Sequence, residues 1–190
     1  NSQSVIHLSN HKEKDPVTLF DLPRKEILID IGAYCLMPNH FHILIREPGD
    51  GDNNTSRFML KLQTGYSMYF NKKYQRTGSL FEGAFRAKHI ADDRYLKYLF
   101  AYIHLNPVKI TDPQGWEKKI IPDISQVKNY LSHYRFSSLP YYLGDKLPEG
   151  KILNPQSFPD YFAPNAEKFS DFINDWLNYD GTRSDVKGSP

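Results

Sequence analysis

The sequence predicts an α+β sandwich built on an antiparallel sheet. Three observations carry that prediction. Two apolar runs rich in Ile and Leu, Glu26–Leu36 and His40–Arg46, flank the short break Met37-Pro38-Asn39, and the Pro-Asn pair is a turn signal. Two later segments, about Arg57–Lys73 and Arg94–Asn106, carry capping residues and helical spacing. The resulting element order is strand, linker, strand, strand, helix, strand, helix, which fits an antiparallel sheet with packed helices.

Taken in chain order, Val5–Leu8 reads as a short strand and Pro16–Lys25 as loop or short helix. The two apolar runs form a β-hairpin whose continuous apolarity places both strands centrally. Glu47–Asn54 is a Gly/Asp/Asn loop, after which Thr55 or Ser56 caps a helix running to about Lys73. Phe58, Leu62, Met68 and Tyr69 partly follow helical spacing, while Gly65 weakens the helix or marks close packing. Gly78 ends a loop, and Leu80–Ile90 alternates loosely as a strand with Arg86 and Lys88 on one face. Asp92 or Asp93 caps the next helix, which Pro107 terminates. The C-terminal part holds Gln126–Ser132, a Tyr134–Tyr142 segment and a last helix near Ala166–Leu177, with a flexible tail expected after Asp180. No internal repeat is present.

The 190 residues suffice for one domain with a real core, and 39% hydrophobic with 24% charged residues is a globular composition. The 13 Tyr and 12 Phe are core rings or platforms for unpaired bases. A single cysteine, Cys35, excludes an internal disulfide and points to a reducing compartment; within its apolar run it reads as a small buried hydrophobe. No apolar stretch approaches ~18 residues, so no membrane helix is expected, and Asn1–Asp15 has no signal-peptide pattern. Net charge is only +2, but it is unevenly spread. Residues 1–56 carry 5 basic and 8 acidic side chains, residues 57–109 carry 10 and 3, and residues 110–190 carry 9 and 11. A basic middle of this kind is either a polyanion-binding face or a solvated helix surface.

The chemistry concentrates on one strand. His40 and His42 are two residues apart, so both imidazoles point to one face and can chelate one divalent ion, with Phe41 and Ile43 pointing the other way into a core. Burying two imidazoles without partners would otherwise be costly. Such a pair needs a third ligand, and Asn106 can supply an amide oxygen from the end of the second helix. Tyr102 lies four residues earlier, one turn away on the same face. A phenol with a pKa near ~10 is a weak nucleophile, so a base or metal must assist it. Spacing alone does not select Tyr102 among the tyrosines, and an amphipathic core ring is the plain alternative. His104 sits on another face of the helix, as packing or surface.

These residues resemble a known family. Ala33-Tyr34-Cys35-Leu36-Met37-Pro38-Asn39-His40-Phe41-His42-Ile43-Leu44 is similar to the His-hydrophobic-His motif of single-tyrosine transposases of the IS200-like kind. Tyr102-Ile103-His104-Leu105-Asn106-Pro107-Val108 resembles the tyrosine helix of their REP-associated branch. Between them, Gly78-Ser79-Leu80-Phe81-Glu82-Gly83-Ala84-Phe85-Arg86 resembles a basic strand of that branch, and Tyr134-Arg135-Phe136-Ser137-Ser138 with Tyr142-Leu143-Gly144 a recurrent later segment. The resemblance covers roughly residues 26–145. At the start the match is short, and only Ser4–Asn10 stands where the family has its first strand.

The resemblance implies a ferredoxin-like sandwich with a central antiparallel sheet and helices on one face, in a domain of residues 1–145 with a helical extension of residues 146–190 packing on it. It implies that Tyr102 attacks a DNA phosphodiester, leaving a 5′-phosphotyrosine link and a free 3′-OH that later rejoins. It implies Mg²⁺ or Mn²⁺ held by His40, His42 and Asn106. The implied partner is single-stranded DNA bearing a hairpin, met by a monomer or homodimer in the bacterial cytoplasm. Lys72, Lys73, Arg76, Arg86 and Lys88 are the expected phosphate contacts, whereas Phe81 and Phe85 read as packing residues. Two other readings use the same residues: a metal-dependent phosphodiesterase in which water attacks, and a domesticated DNA- or RNA-hairpin-binding protein without catalysis.

Overall fold

A computed structural model describes residues 20–21, 26–49, 53–113, 116, 121 and 123–178. The expected strand Val5–Leu8, most of the Pro16–Lys25 segment and the tail after Asp180 lie outside these residues. The fold is α+β. Strands β1 (Asp30–Leu36) and β2 (Phe41–Arg46) pair as a two-stranded antiparallel hairpin. The turn closes with Met37 N–H donating to the His40 carbonyl at 2.8 Å. Helices follow as α1 (Asn54–Lys73), α2 (Asp93–Leu105), α3 (Val108–Thr111), α4 (Ile124–His133), α5 (Leu139–Tyr142) and α6 (Ala166–Leu177). Short 3₁₀ turns occupy the stretch between α5 and α6.

The chain divides into two compact units, residues 1–30 with 46–88, and residues 31–45 with 89–190. In the second unit, the edge of β1 away from β2 is closed without a regular strand. Leu36 N–H donates to the Phe136 carbonyl at 2.8 Å, Ser138 N–H to Tyr34 at 3.0 Å, and Asn154 N–H to Ile31 at 2.8 Å. These bonds satisfy the backbone of β1, which is buried from Gly32 to Cys35. Cys35 is fully buried, and burial pushes its thiol up to about 12. Gly32 is required by packing: a Cβ there would meet the Phe158 ring at 2.8 Å.

Helix α2 organises the core of this unit. Asp92 caps it, accepting from Arg94 N–H at 2.7 Å and Tyr95 N–H at 3.2 Å. From Phe100 to Leu105 every residue is buried, so this stretch is enclosed on all faces. Phe100 packs against Phe162 at a centroid distance of 3.8 Å and Phe169 of α6 at 5.4 Å. His104, expected as packing or surface, is completely buried; one ring nitrogen lies 2.8 Å from the Phe100 carbonyl and the other 2.7 Å from Ser138 Oγ. Ser138 Oγ also accepts from Tyr34 N–H at 3.0 Å, which joins α2 to β1 through one hydroxyl.

Two expectations are corrected. Residues 80–90 form no strand: the half-buried residues are Leu80, Phe81, Phe85 and Ile90, which have no two-residue period, and Gly83-Ala84 is a weak β former. Arg86 and Lys88 therefore share no sheet face. Helix α1 starts before Thr55 and Ser56, with Asn53 at φ 66° as its cap residue, and Glu47 Oε1 accepts the Thr55 N–H at 2.7 Å. Helix α2 ends at Leu105 with Asn106 as its C-cap, just before Pro107, as expected. Asn106 (φ −54°, ψ −37°) and Pro107 (φ −58°, ψ −21°) nonetheless keep helical angles, and the separate short helix α3 follows, although a residue before proline is usually biased away from them.

His104 makes the protein acid-sensitive before its carboxylates titrate. Burial lowers this imidazole to about 3, with the Phe100 carbonyl opposing the shift. A depressed histidine binds fewer protons folded than unfolded, so the stability it contributes is present above the unfolded value near ~6.5 and is lost as pH falls towards the folded one. The melting temperature of metal-free protein is expected to fall between about pH 7 and pH 5, and His104→Gln to flatten that slope while costing about 1–3 kcal/mol at neutral pH. Parallel slopes in differential scanning calorimetry would contradict this assignment.

Candidate active site

The strand geometry sets two imidazoles side by side. His40, at the exposed end of the turn, and His42, half-buried, have ring centroids 5.0 Å apart and nearly perpendicular planes. His40 Nδ1 lies 2.7 Å from Asn39 Oδ1. With that amide oxygen accepting, Nδ1 carries the proton and Nε2 offers its lone pair outward. The Phe41/Ile43 side is not the more buried one. Leu44, on the histidine face, is the one buried residue of β2, so the imidazoles sit at the outer margin of the core.

The tyrosine meets them from α2. The Tyr102 ring stands edge-on to His42 with centroids 5.4 Å apart, and its side chain is 7% exposed. Tyr98 and Trp116 pack on it at 6.0 and 6.4 Å, which leaves the ring little freedom. Asn106, one turn on, is 1% exposed, and neither amide atom has a protein hydrogen-bond partner. His42 Nε2 is likewise buried and unpartnered. Three of the seven such side-chain atoms among the described residues thus belong to two of the proposed metal ligands. Leaving them unmatched would cost about 1–3 kcal/mol each. A cation satisfies an imidazole lone pair and an amide oxygen together, so the donor set fits a divalent ion.

Electrostatics agree with that use. Burial, then His40, then Lys109 lower His42 to about 4, and burial followed by Lys109 lowers His40. Both imidazoles are thereby kept neutral, and so able to act as ligands, at physiological pH. Among the described residues no cluster of three or more His, Cys, Asp or Glu is found. The candidate donors are thus two imidazoles and one amide.

Lys109, which sequence reasoning did not single out, also reaches Tyr102. Its Nζ donates to the Tyr102 hydroxyl at 3.3 Å and lies 4.7 Å from the centre of that ring. The signal was its position seven residues after Tyr102, close to two helical turns, visible only once Asn106 and Pro107 are known to keep helical angles.

The expected phosphate contacts Lys72, Lys73, Arg76, Arg86 and Lys88 belong to the other compact unit. Helix α1 carries Arg57, Lys61, Lys72 and Lys73 and no acidic residue. Tyr66 and Tyr69 on it, and Tyr74 at its C-terminal cap, are exposed. Lys73 Nζ lies over Tyr69 and Tyr74 at 5.6 and 5.5 Å, and the Arg76 guanidinium over Phe70 at 5.7 Å. Phe81 is half-buried near Tyr66, with centroids 6.3 Å apart.

Asn106 gives the sharpest test of the pocket. Asn106→Leu removes two unpartnered polar atoms at similar volume and is expected to raise metal-free stability by about 1–2 kcal/mol. It is expected to abolish Mn²⁺ binding in isothermal titration calorimetry. Destabilisation with unchanged Mn²⁺ affinity would make Asn106 a purely structural residue.

Comparison with known proteins places the chain. The family model described as "Transposase IS200 like" matches residues 7–106, which span both histidines, Tyr102 and Asn106. A curated protein of Haemophilus influenzae, described as a REP-associated tyrosine transposase, is 35% identical over 86 residues, 40% of this chain and 48% of that protein. The chain thus spans about half the length of the curated relative it matches. No solved structure matches. No helix among the described residues is long and apolar enough to cross a membrane. With the matching model covering more than half of its length, the chain belongs to the IS200-like transposase family.

Proposed function

We propose that this protein cleaves and rejoins single-stranded DNA bearing a hairpin, with Tyr102 as nucleophile. The observation that carries the reading is the edge-on contact of His42 with Tyr102 at 5.4 Å, which sets a ligand-competent imidazole beside a phenol. The Tyr102 oxygen forms a bond to the scissile phosphorus and its proton passes to water. The bond from phosphorus to the 3′-oxygen breaks, and that oxygen takes a proton and leaves as a free 3′-OH. The 5′-phosphotyrosine so formed conserves the bond energy, so a second 3′-OH can reverse the step. His40, His42 and Asn106 would hold Mg²⁺ or Mn²⁺, which would polarise the phosphate and offset its developing charge.

The REP-associated description of the Haemophilus relative supports repeat hairpins as substrate. The acid-free helix α1, with exposed tyrosines between basic side chains, supports an unpaired strand as ligand. Lys72, Lys73 and Arg76 would contact phosphates there, with Arg86 and Lys88 nearby in sequence.

Incubation with a labelled single-stranded repeat hairpin and Mn²⁺ is expected to give a protein–DNA band that survives denaturation. Tyr102→Phe is expected to abolish that band and retain DNA affinity. A variant that still cleaves at wild-type rate would exclude Tyr102 and favour attack by water. DNA affinity is also expected to fall with salt, and replacing Lys72, Lys73 and Arg76 with Ala should reduce the slope of log K against log salt by about 2. An unchanged slope in fluorescence anisotropy would remove α1 from the DNA interface.

A further inference from the structure

We propose that Lys109 is a further catalytic residue, its ammonium neutralising charge on the Tyr102 oxygen as that oxygen attacks and again as it leaves. The inference rests on the reading of Tyr102 as nucleophile. Lys109 Nζ is 3.3 Å from the hydroxyl and donates to it, so the cation touches the atom that forms the bond to phosphorus. It also stands 4.7 Å from the ring centre, where the π face attracts a cation. These two contacts hold it on the phenol before substrate arrives, so little reorganisation is needed at the moment of reaction.

The backbone makes this placement durable. Asn106 and Pro107 keep helical angles, Lys109 N–H donates to the Asn106 carbonyl at 3.0 Å, and Ile110 N–H donates to Pro107 at 3.0 Å. Val108, 1% exposed, anchors the short helix α3 in the core beside Lys109. The chemistry needs such a group. In cleavage the phenol oxygen gives up its proton to water while bonding to phosphorus, and the 3′-oxygen departs and is protonated. In rejoining, an incoming 3′-OH loses its proton and bonds to phosphorus as the bond to the Tyr102 oxygen breaks. That leaving phenolate carries negative charge, and a cation beside it stabilises the transition state in both directions. A contact to the phosphate alone would act on binding instead.

The test uses the full chain with Mn²⁺ and a labelled single-stranded repeat hairpin, comparing wild type, Lys109→Met, Lys109→Ala and Lys109→Arg in single turnover. Lys109→Met is expected to slow both cleavage and rejoining from isolated adduct by about 100-fold. Its DNA affinity and its Mn²⁺ affinity should stay within about threefold of wild type, so that the loss lies in kcat and not in KM. Lys109→Arg keeps the charge and should remain within about tenfold of wild type. Added ethylammonium should partly restore Lys109→Ala, which a packing role would not allow. Cleavage by Lys109→Met at near wild-type rate would overturn the proposal. So would a loss confined to DNA affinity, or an Arg variant as slow as Met with fold and metal binding intact. If wild type itself forms no covalent adduct, the nucleophile assignment fails and this inference with it; an adduct formed equally well by Lys109→Met defeats the inference alone.

Discussion

His104 has no route to water, so both of its ring nitrogens must find partners inside the protein. One meets the Phe100 carbonyl a turn earlier on its own helix, and the other meets Ser138 Oγ, which is itself bonded to the backbone of Tyr34. Rotating α2 about its axis would break the second bond and bury an unmatched nitrogen. That constraint fixes which way the helix faces. Tyr102 and Asn106 are each two residues from His104 and therefore lie near the opposite side. The hydrogen bond behind the helix thus helps aim the reactive side in front. Phe162 and Phe169 hold the same helix through Phe100, so the aromatic C-terminal stretch is part of the apparatus that presents the tyrosine.

The site trades stability for readiness. Two neutral imidazoles, a buried amide with no protein partner and a lysine over a phenol form a poor core. A divalent ion and a phosphodiester, as proposed, would bring the missing charges. An arrangement that leaves polar atoms unmatched next to a well-satisfied His104 is what a functional pocket beside a structural network should look like. Placing the cation on the phenol also separates two tasks. In the proposed reaction the histidines and Asn106 would face the phosphate through a metal, and Lys109 would address the oxygen that joins and leaves it.

Much of this was legible in the sequence because it is local. The two-residue spacing of His40 and His42, the Pro38-Asn39 turn, the Asp92 cap and the four-residue spacing of Tyr102 and Asn106 each encode geometry within one turn or one strand. What was not legible depends on partners far along the chain. The mate of His104, Ser138, lies 34 residues away, and the bonds that close β1 come from Phe136, Ser138 and Asn154 in irregular backbone without periodicity. Lys109 was hidden for a different reason. A proline usually ends a helix, and only the helical angles of Asn106 and Pro107 reveal that the next turn returns to the tyrosine's face. The weak alternation of Leu80–Ile90 carried too little signal, with Gly83 and Ala84 in its centre, to specify a strand.

The central claim is that a divalent ion and the Tyr102 phenol share one small volume. Protein labelled with 3-fluorotyrosine reports this directly by ¹⁹F NMR, with the Tyr102 resonance identified by its loss in Tyr102→Phe. On adding substoichiometric Mn²⁺, paramagnetic broadening should strike Tyr102 first and spare Tyr142, which lies behind α2 against Phe100. A Tyr102 line that stays sharp while calorimetry shows Mn²⁺ bound would contradict the account.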